Sequence, residues 1–229
     1  LIIMKTAITE KDYIHRLIAE GEHIHQDFKF AISDARKIAR SLSAFANTEG
    51  GRLLVGVKDN GSIAGVRSEE EIYMIDAAAT MYCRPPLQTE SKIYKVEGKD
   101  VLEVVISEQP TKPIFALDES NKPWAYIRIA DENILADRVH LETWNREQDD
   151  KKVVMSYTPR EQSLLNLLAD KGQLTLNQCA KLSGIPRNEA SKLLSDFIRF
   201  GLVDHVFSDH HFYFRLSDSE DYDNQSKNE

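Results

Sequence analysis

A predicted helix that begins near Pro186 carries polar side chains on its outer face and apolar side chains on the other. Guanidinium and amide groups placed in this way read the edges of guanine and adenine in the major groove of DNA, and ammonium groups bind phosphate. The pattern therefore predicts contact with nucleic acid through four residues of this helix: Arg187, Asn188, Ser191 and Lys192.

Another group of residues near the N-terminus has the types that bind metals. His23, His25 and Asp27 are spaced by two, so in a regular strand their side chains share one face. Imidazole and carboxylate groups together are ligands of transition metals. The alternative is that the histidines are exposed polar positions with no ligand, and the sequence leaves both interpretations open.

The segment Asn47-Thr48-Glu49-Gly50-Gly51 has the residue types that end a helix and reverse the chain, because Gly and Asn tolerate a positive φ. We expect Asn47, Gly50 and Gly51 to form this turn, with Asn47 capping backbone groups near the helix end. The alternative is a close approach of the backbone to a phosphate. The sequence has neither a P-loop nor a Gly-x-Gly-x-x-Gly motif, so ATP hydrolysis is not expected.

Helices and strands are mixed along the first 150 residues. The patterns predict a helix behind Thr9, a strand over 23–30 and an amphipathic helix from Ser33. The apolar run 52–57 predicts a central strand, and the Asn60-Gly61 turn predicts a hairpin with a second strand. The later segments add one helix and three strands: 68–83, 91–96, 99–109 and 123–130. Mixed elements with hairpins indicate the α+β class.

The C-terminal part follows a different pattern. Three predicted helices precede a short hairpin, which is the arrangement of a winged helix-turn-helix. A charge run with weak periodicity places the boundary near 148–156. We therefore predict one domain over 1–150, a winged helix domain over 151–216 and an acidic, disordered tail over 217–229.

The overall net charge is −8, but the charge is distributed unevenly. The three segments carry net charges of −7, +3 and −4 in chain order, so a mildly basic module lies beside an acidic tail. The two cysteines are far apart, which argues against a disulfide framework or a thiolate zinc site. No apolar run is long enough for a membrane span and no signal peptide is present, so we expect a cytoplasmic protein with no membrane partner.

The motifs HQDFKF and SAFANTEGGRLLVGVKDNGSIAGV resemble the signature of the Schlafen AlbA-type family, also called divergent AAA. The resemblance implies an N-terminal mixed α/β domain of that type. Many bacterial members of the family carry a C-terminal winged helix and are described as transcriptional regulators, which this chain resembles. The implied function is DNA binding.

The eukaryotic relatives of this family are similar to a nuclease that cuts structured RNA with three carboxylates and a divalent ion. The resemblance places these ligands at Glu22, Asp27 and Asp59, with Mg²⁺ or Mn²⁺ as the ion. Lys29 would neutralise a neighbouring phosphate. Two features depart from the pattern: Asp27 replaces the usual Glu, and a spacing of five puts Glu22 and Asp27 on opposite faces of a regular strand, unless the chain bends.

The leading prediction is therefore a homodimeric, DNA-binding transcriptional regulator that requires no cofactor for binding. Two arginines, Arg52 and Arg128, are further candidates for the basic surface of the first domain. One alternative is a metal-dependent endoribonuclease that acts on structured RNA, and the other is a protein-interaction adaptor. We expect the protein not to be an enzyme under the leading prediction.

Overall fold

The computed structural model describes residues 9–148 and 157–218. The chain divides into two compact units, the first ending at Ala136 and the second beginning at Asp137. Beyond residue 218, the predicted acidic tail lies outside the described residues. None of the helices in the described part of the chain is long and apolar enough to span a lipid bilayer.

The first unit combines three helices and eight strands within its described residues. The helices are α1 (Glu10–Glu20), α2 (Ala35–Asn47) and α3 (Glu69–Thr80). The strands are β1 (Gln26–Lys29), β2 (Gly51–Val55), β3 (Cys83–Arg84), β4 (Glu90–Val96), β5 (Lys99–Ile106), β6 (Phe115–Leu117), β7 (Pro123–Ile129) and β8 (Glu132–Leu135). These elements confirm the α+β class.

The main sheet has the strand order β1-β2-β5-β4, in which β1 and β2 are parallel and the other pairs are antiparallel. A smaller sheet has the order β3-β6-β7-β8. Phe28 and Leu54 belong to the core on the α1 side of the main sheet, whereas Leu53 and Val55 belong to the core beneath α2. The central, apolar position predicted for β2 is confirmed.

The hairpin predicted after β2 is confirmed only in its turn, because the chain reverses at Asn60-Gly61 but the segment after the turn does not form the predicted second strand. The segment around the Asn60-Gly61 turn forms only an isolated bridge between Val57 and Ile63, and the antiparallel neighbour of β2 is β5. The chain turns sharply at Gly56, where a Cβ atom would lie 2.8 Å from the backbone of Gly65. The returning segment lies against Gly56, whose carbonyl accepts hydrogen bonds from the N–H groups of both Ala64 and Gly65.

Asn47 does not cap helix α2, which corrects the role predicted for it. Its Oδ1 accepts a hydrogen bond from the backbone N–H of Ile114 at 2.7 Å, and its Nδ2 donates to the carbonyls of Ile114 and Tyr126 at 2.8 and 2.9 Å. The helix end is satisfied instead by Thr48, whose hydroxyl donates to the carbonyl of Ala44. Asn47 therefore joins α2 to the segment before β6 and to β7.

The second unit contains four helices and a three-stranded sheet within its described residues. The helices are α4 (Arg138–Glu147), α5 (Pro159–Lys171), α6 (Leu176–Ser183) and α7 (Arg187–Arg199). The strands are β9 (Gln173–Leu174), β10 (Val203–Ser208) and β11 (His211–Leu216), in the order β10-β11-β9. Helices α5 to α7 followed by the β10–β11 hairpin confirm the predicted winged helix.

Helix α4 lies before the predicted boundary near 148–156, yet it packs in the second unit. Val139 is fully buried in the same core as Leu194 and Phe197 of α7. Arg146 also forms an ion pair with Asp196 of α7. Composition alone does not detect this helix as part of the second unit, because its sequence is highly charged.

Candidate nucleic-acid interface

Helix α7 presents the polar surface predicted from the sequence. The turn before it is made possible by Gly184, which ends α6 in the left-handed conformation at φ +67°. Arg187, Asn188 and Lys192 are exposed, and Ala190 and its apolar neighbours are buried. Three of the four predicted residues therefore lie together on one accessible face.

Ser191 does not lie on that face, which corrects its prediction. The residue is fully buried, and its hydroxyl has no hydrogen-bond partner in the part of the chain that the structure describes. On a helix, Ser191 lies one turn before Ser195, which is also buried and accepts a hydrogen bond from Thr143 of α4. The packing of α4 therefore covers a side that would be polar surface in an isolated winged helix.

The acidic side chains of α7 are paired within the unit. Glu189 lies 3.0 Å from Arg160 of α5, and Asp196 pairs with Arg146 of α4. Arg187 and Lys192 consequently give the exposed face a positive charge. The guanidinium of Arg187 donates from Nε to Asn177 of α6 at 2.8 Å, which orients it while its other nitrogens stay available to an anion.

The first unit offers a second basic surface, around a cavity of about 480 Å³. Lys29 of β1 and the two α2 residues Lys37 and Arg40 contribute three cations to its lining, against one carboxylate from Glu132. Lys37 and Arg40 are exposed, and neither forms an ion pair with another described residue. The remaining lining residues are polar or aromatic: Ser41, Tyr126 and Asn133.

Asp27 lies buried behind this cavity. Its Oδ2 is 2.6 Å from the ammonium of Lys29, and its Oδ1 is 3.5 Å from the guanidinium of Arg128. The hydroxyl of Ser41 is 3.5 Å from Oδ2. These contacts hold the buried charge in place and fix the position of Lys29 at the edge of the cavity.

Arg128 is an internal residue, so its predicted contact with nucleic acid does not fit the structure. Its side chain is 1% exposed. The guanidinium donates to the carbonyls of His23 and Gln26 and to the amide oxygen of Asn133. All of these partners belong to the protein, so no part of the guanidinium remains for a phosphate.

Arg52 lies on the other face of the main sheet, which also corrects its prediction. It is in register with Gln26, whereas Asp27 is in register with Leu53 on the α2 side. Its Nε is 3.8 Å from the buried carboxylate of Glu103. Arg52 and Lys29 therefore cannot belong to one surface.

The chain bends between Glu22 and Asp27, so the two carboxylates are not separated as in a regular strand. Glu22 accepts a hydrogen bond from the backbone N–H of Phe28 at 2.8 Å. Burial raises the pKa of Glu22, and its hydrogen bond and repulsion with the neighbouring Asp27 carboxyl act in the same direction. The carboxyl groups of Glu22 and Asp27 therefore lie close together.

The bend also separates the three residues predicted to share a strand face. His23 and His25 precede β1, and only Asp27 belongs to it. His25 pairs with Glu49 at 3.3 Å, on the turn that follows α2. The alternating arrangement on which the transition-metal interpretation depended is therefore not formed.

Asp59 lies in the exposed turn after β2. Among the described residues, only one set of three or more potential ligands has all its ligand atoms within 4.8 Å of one another, and that set contains none of the three predicted carboxylates. Glu22 and Asp27 thus come together without Asp59. The shared metal ion stays a prediction.

The Gly50-Gly51 turn is packed against the protein itself. A Cβ on Gly50 would lie 2.8 Å from the carbonyl oxygen of Ile106, and a Cβ on Gly51 would lie 2.4 Å from the ring of Phe45. Gly50 has the positive φ predicted for the turn, at +73°, whereas Gly51 does not, and its lack of a side chain is explained by the contact with Phe45.

Sequence reasoning missed Lys37 and Arg40. A signal was available, because the two residues are three positions apart on the polar face of α2, and α2 is the next element after the strand that carries Lys29. Only the fold shows that the exposed edge of this helix borders the same cavity as β1.

Comparisons with known proteins match both units. The profile of the family described as Schlafen, AlbA_2 matches residues 22–137, and that of the IclR helix-turn-helix domain matches residues 162–206. No curated protein matches the chain.

Three solved structures resemble parts of the chain. The DIP2311 protein from Corynebacterium diphtheriae is 19% identical, over 85% of this chain and 34% of that one, with a TM-score of 0.45. The N-terminal domain of a RecG-related protein from Nitrosomonas europaea is 21% identical, over 66% and 97%, with a TM-score of 0.41. A MarR family transcriptional regulator from Silicibacter pomeroyi DSS is 22% identical, over 30% and 46%, with a TM-score of 0.25. The chain spans about a third of the length of the DIP2311 protein.

Proposed function

The chain belongs to the Schlafen, AlbA_2 family, and because its second unit also carries a helix-turn-helix domain, we propose that it is a DNA-binding transcriptional regulator. Helix α7 enters the major groove, as the second helix of a helix-turn-helix does. The observation that carries the proposal is the exposed face of Arg187, Asn188 and Lys192, beside which the acidic residues of the same helix are neutralised.

Each residue of this face has a distinct role in the proposal. Lys192 binds phosphate, Asn188 reads an adenine edge, and Arg187 reads guanine or binds phosphate. Two copies of the chain bind two half-sites, which doubles the number of phosphate contacts and compensates for the small positive charge of a single winged helix. The basic cavity of the first unit adds a second surface for polyanions.

The test is the salt dependence of binding to duplex DNA, measured by fluorescence anisotropy with the wild-type chain and the double variant Arg187→Ala, Lys192→Ala. Each lost phosphate contact reduces the slope of log K against log salt by about 1, and we expect the dissociation constant to rise roughly 10- to 100-fold. A pool of random duplexes serves as the probe, since phosphate contacts are independent of sequence.

A charge-matched control separates this effect from a general loss of positive charge. Lys95→Ala, Lys171→Ala removes two exposed cations that belong to β4 and α5 rather than to α7, one in each unit. The control should bind DNA as the wild type does. Equal weakening by both double variants would show that α7 is not the DNA-contacting helix.

Cleavage of structured RNA is a second candidate activity, favoured by the Glu22–Asp27 pair beside the cavity that Lys29 borders. Mg²⁺ commonly takes one or two carboxylates from a protein and completes its shell with water and phosphate oxygens, so Glu22 and Asp27 would be its ligands. A bound ion would stabilise negative charge that develops on a phosphate. Lys37 and Arg40 would bind the flanking phosphates of the RNA.

The RNA activity is tested with a hairpin RNA in Mn²⁺ or EDTA, using Asp27→Asn and Asp59→Asn. Loss of cleavage in Asp27→Asn alone would support the two-carboxylate site. Loss in both variants would support the three-carboxylate prediction. Absence of metal-dependent cleavage by the wild type would reject the activity and leave the DNA-binding proposal unaffected.

A further inference from the structure

Three potential metal ligands converge in the second unit, where the beginning of α4 meets strand β10. Asp137 is the N-cap of α4, His140 lies in its first turn, and His205 lies on β10. The Nδ1 of His140 is 2.9 Å from Asp137 Oδ1, and the Nε2 of His205 is 3.3 Å from Asp137 Oδ2. One ligand atom from each residue lies within 4.8 Å of the other two.

The Nε2 atom of His205 points into this cluster without a satisfied bond. The side chain is 10% exposed, and the nitrogen itself is enclosed and has no hydrogen-bond partner in the described ranges. Asp137 Oδ2 lies 3.3 Å from it, which is an ion-pair distance, but the contact does not have the geometry of a hydrogen bond. An enclosed ring nitrogen without a partner is costly, so its persistence at this position calls for a ligand.

The carboxylate of Asp137 is already oriented for such a ligand. Its Oδ1 accepts hydrogen bonds from the backbone N–H groups of Val139 and His140, at 2.9 and 3.0 Å. These bonds fix the carboxylate and leave Oδ2 facing His205. Bonds of this kind around a ligand hold it in place and raise metal affinity.

Aromatic packing holds the two imidazoles. The rings of His140 and His205 have centroids 4.1 Å apart, and His205 stacks on Phe214 at 4.5 Å. Phe212 contacts both histidines at 4.9 Å. Packing therefore fixes both rings, and a metal ion would replace the proton shared between His140 Nδ1 and Asp137 Oδ1.

The dimensions suit a tetrahedral ion. Metal–nitrogen and metal–oxygen bonds of ~2.0–2.1 Å place neighbouring ligand atoms about 3.3 Å apart. The histidine nitrogens lie 2.9 and 3.3 Å from different oxygens of Asp137, and one ligand atom from each residue lies within 4.8 Å of the other two, so a small inward shift of the side chains is enough to bind one ion. Two imidazoles and one carboxylate favour first-row transition metals over Mg²⁺ or Ca²⁺, which prefer oxygen ligands.

We propose that Asp137, His140 and His205 bind a divalent transition-metal ion of the Zn²⁺ type. Three protein ligands leave a fourth position for water or a small anion. The ion ties the start of α4 to β10, the strand that leads into the wing. The proposal does not depend on DNA binding, because it concerns only the residues of the cluster.

The first test is calorimetric titration of the full chain with Zn²⁺, and with Co²⁺ for its visible absorption. We expect one ion per chain and the intense Co²⁺ bands of a four-coordinate site. Asp137→Asn keeps the helix cap, because Asn caps as well as Asp does. We expect this variant to bind Zn²⁺ about 100-fold more weakly or worse, since replacing a residue that only supports a metal ligand typically costs 10–100-fold in affinity. His140→Gln should do the same.

The control is His210→Gln, His211→Gln, which removes two exposed wing histidines and leaves the cluster intact. Unchanged binding in this variant supports the proposal. Equal loss of affinity in the control and in Asp137→Asn, or no stoichiometric binding by the wild type, would overturn it.

A second readout uses the two buried cysteines, one in each unit. Cys179 belongs to the same core as Val139, so its alkylation by iodoacetamide requires the second unit to open. At a Zn²⁺ concentration 100 times the dissociation constant, opening should be suppressed about 100-fold. Cys83 in the first unit should react at an unchanged rate, and equal protection of both cysteines would contradict the site.

Discussion

The substitution Asn47→Ala tests the role that the structure gives to the Ala-Phe-Ala-Asn-Thr motif. It leaves the buried N–H of Ile114 and the carbonyl of Tyr126 without the partners they have in the wild type. The carbonyl of Ile114 keeps its bond from the hydroxyl of Ser43, at 2.7 Å. A buried polar group that loses its partner costs about 1–3 kcal/mol. The N–H of Ile114 is buried and the carbonyl of Tyr126 is half-buried, and together they give an expected destabilisation of the first unit of about 3 kcal/mol.

The alkylation rate of Cys83 measures this loss in the first unit alone. Burial raises the pKa of Cys83 to about 12, so its thiol is protonated at pH 8 and reacts only when the unit opens. A loss of about 3 kcal/mol raises the open population, and with it the rate, roughly 100-fold, provided that closing is faster than alkylation. Mass spectrometry of the modified peptide gives the rate directly.

Asn60→Ala is the matched control, because it makes the same substitution in an exposed turn, where the side-chain oxygen of Asn60 accepts hydrogen bonds from the N–H and the hydroxyl of Ser62. It should change the rate little, since a lost exposed hydrogen bond costs well under about 1 kcal/mol. If the alkylation rate of Cys83 in Asn47→Ala is within about threefold of its rate in Asn60→Ala, the buried hydrogen bonds of Asn47 do not stabilise the first unit by the expected amount.

Three further predictions concern single residues. Gly50→Ala and Gly98→Ala impose the same backbone strain, at φ +73° and +75°, but only Gly50 has backbone atoms within 3.0 Å of the new Cβ; denaturant titration should show about 1–3 kcal/mol more destabilisation for Gly50→Ala. Burial and the hydrogen bond to Glu103 raise the pKa of Tyr13 to about 12, above its usual 10. Tyr13 ionises at a lower pH in the unfolded chain than in the folded one, so the first unit should lose stability as pH rises from 10 towards 12. The Tyr13→Phe variant should lose less stability than the wild type over the same pH range. Ser191→Ala removes a buried hydroxyl that has no partner within the described part of the chain, so DNA affinity should stay unchanged and stability should stay equal or rise by up to about 1 kcal/mol.

Local sequence patterns were sufficient for most elements of the fold. Thr9 caps α1 as expected, α2 and α7 follow their apolar periodicity, and the turn at Glu97 and Gly98 joins β4 to β5. Periodicity, capping and turn chemistry involve residues a few positions apart, so they can be read from one sequence. The turn at Asn60-Gly61 forms as its sequence predicts, but the second strand does not, because Gly56 accepts hydrogen bonds from two successive N–H groups in place of a regular ladder.

The site depends on contacts between distant residues. The sequence around Arg128 predicts an exposed cation, but the side chain is buried. Its guanidinium donates hydrogen bonds to the carbonyls of Gln26 and His23, which are distant from it in the sequence. Ser191 has a polar side chain but is buried on the side of α7 that α4 covers. The composition of the chain does not show that α4 belongs to the second unit.

The sequence by itself determined most of the helices and strands, the turn at Gly50 and the cationic face of α7, because these follow from neighbouring residues. Only the tertiary structure decided that Glu22 meets Asp27, that Lys37 and Arg40 border the cavity of Lys29, and which histidines come together with a carboxylate. The physical reason is that burial, pairing and shared ligands depend on which elements pack against each other, and no local pattern carries that information.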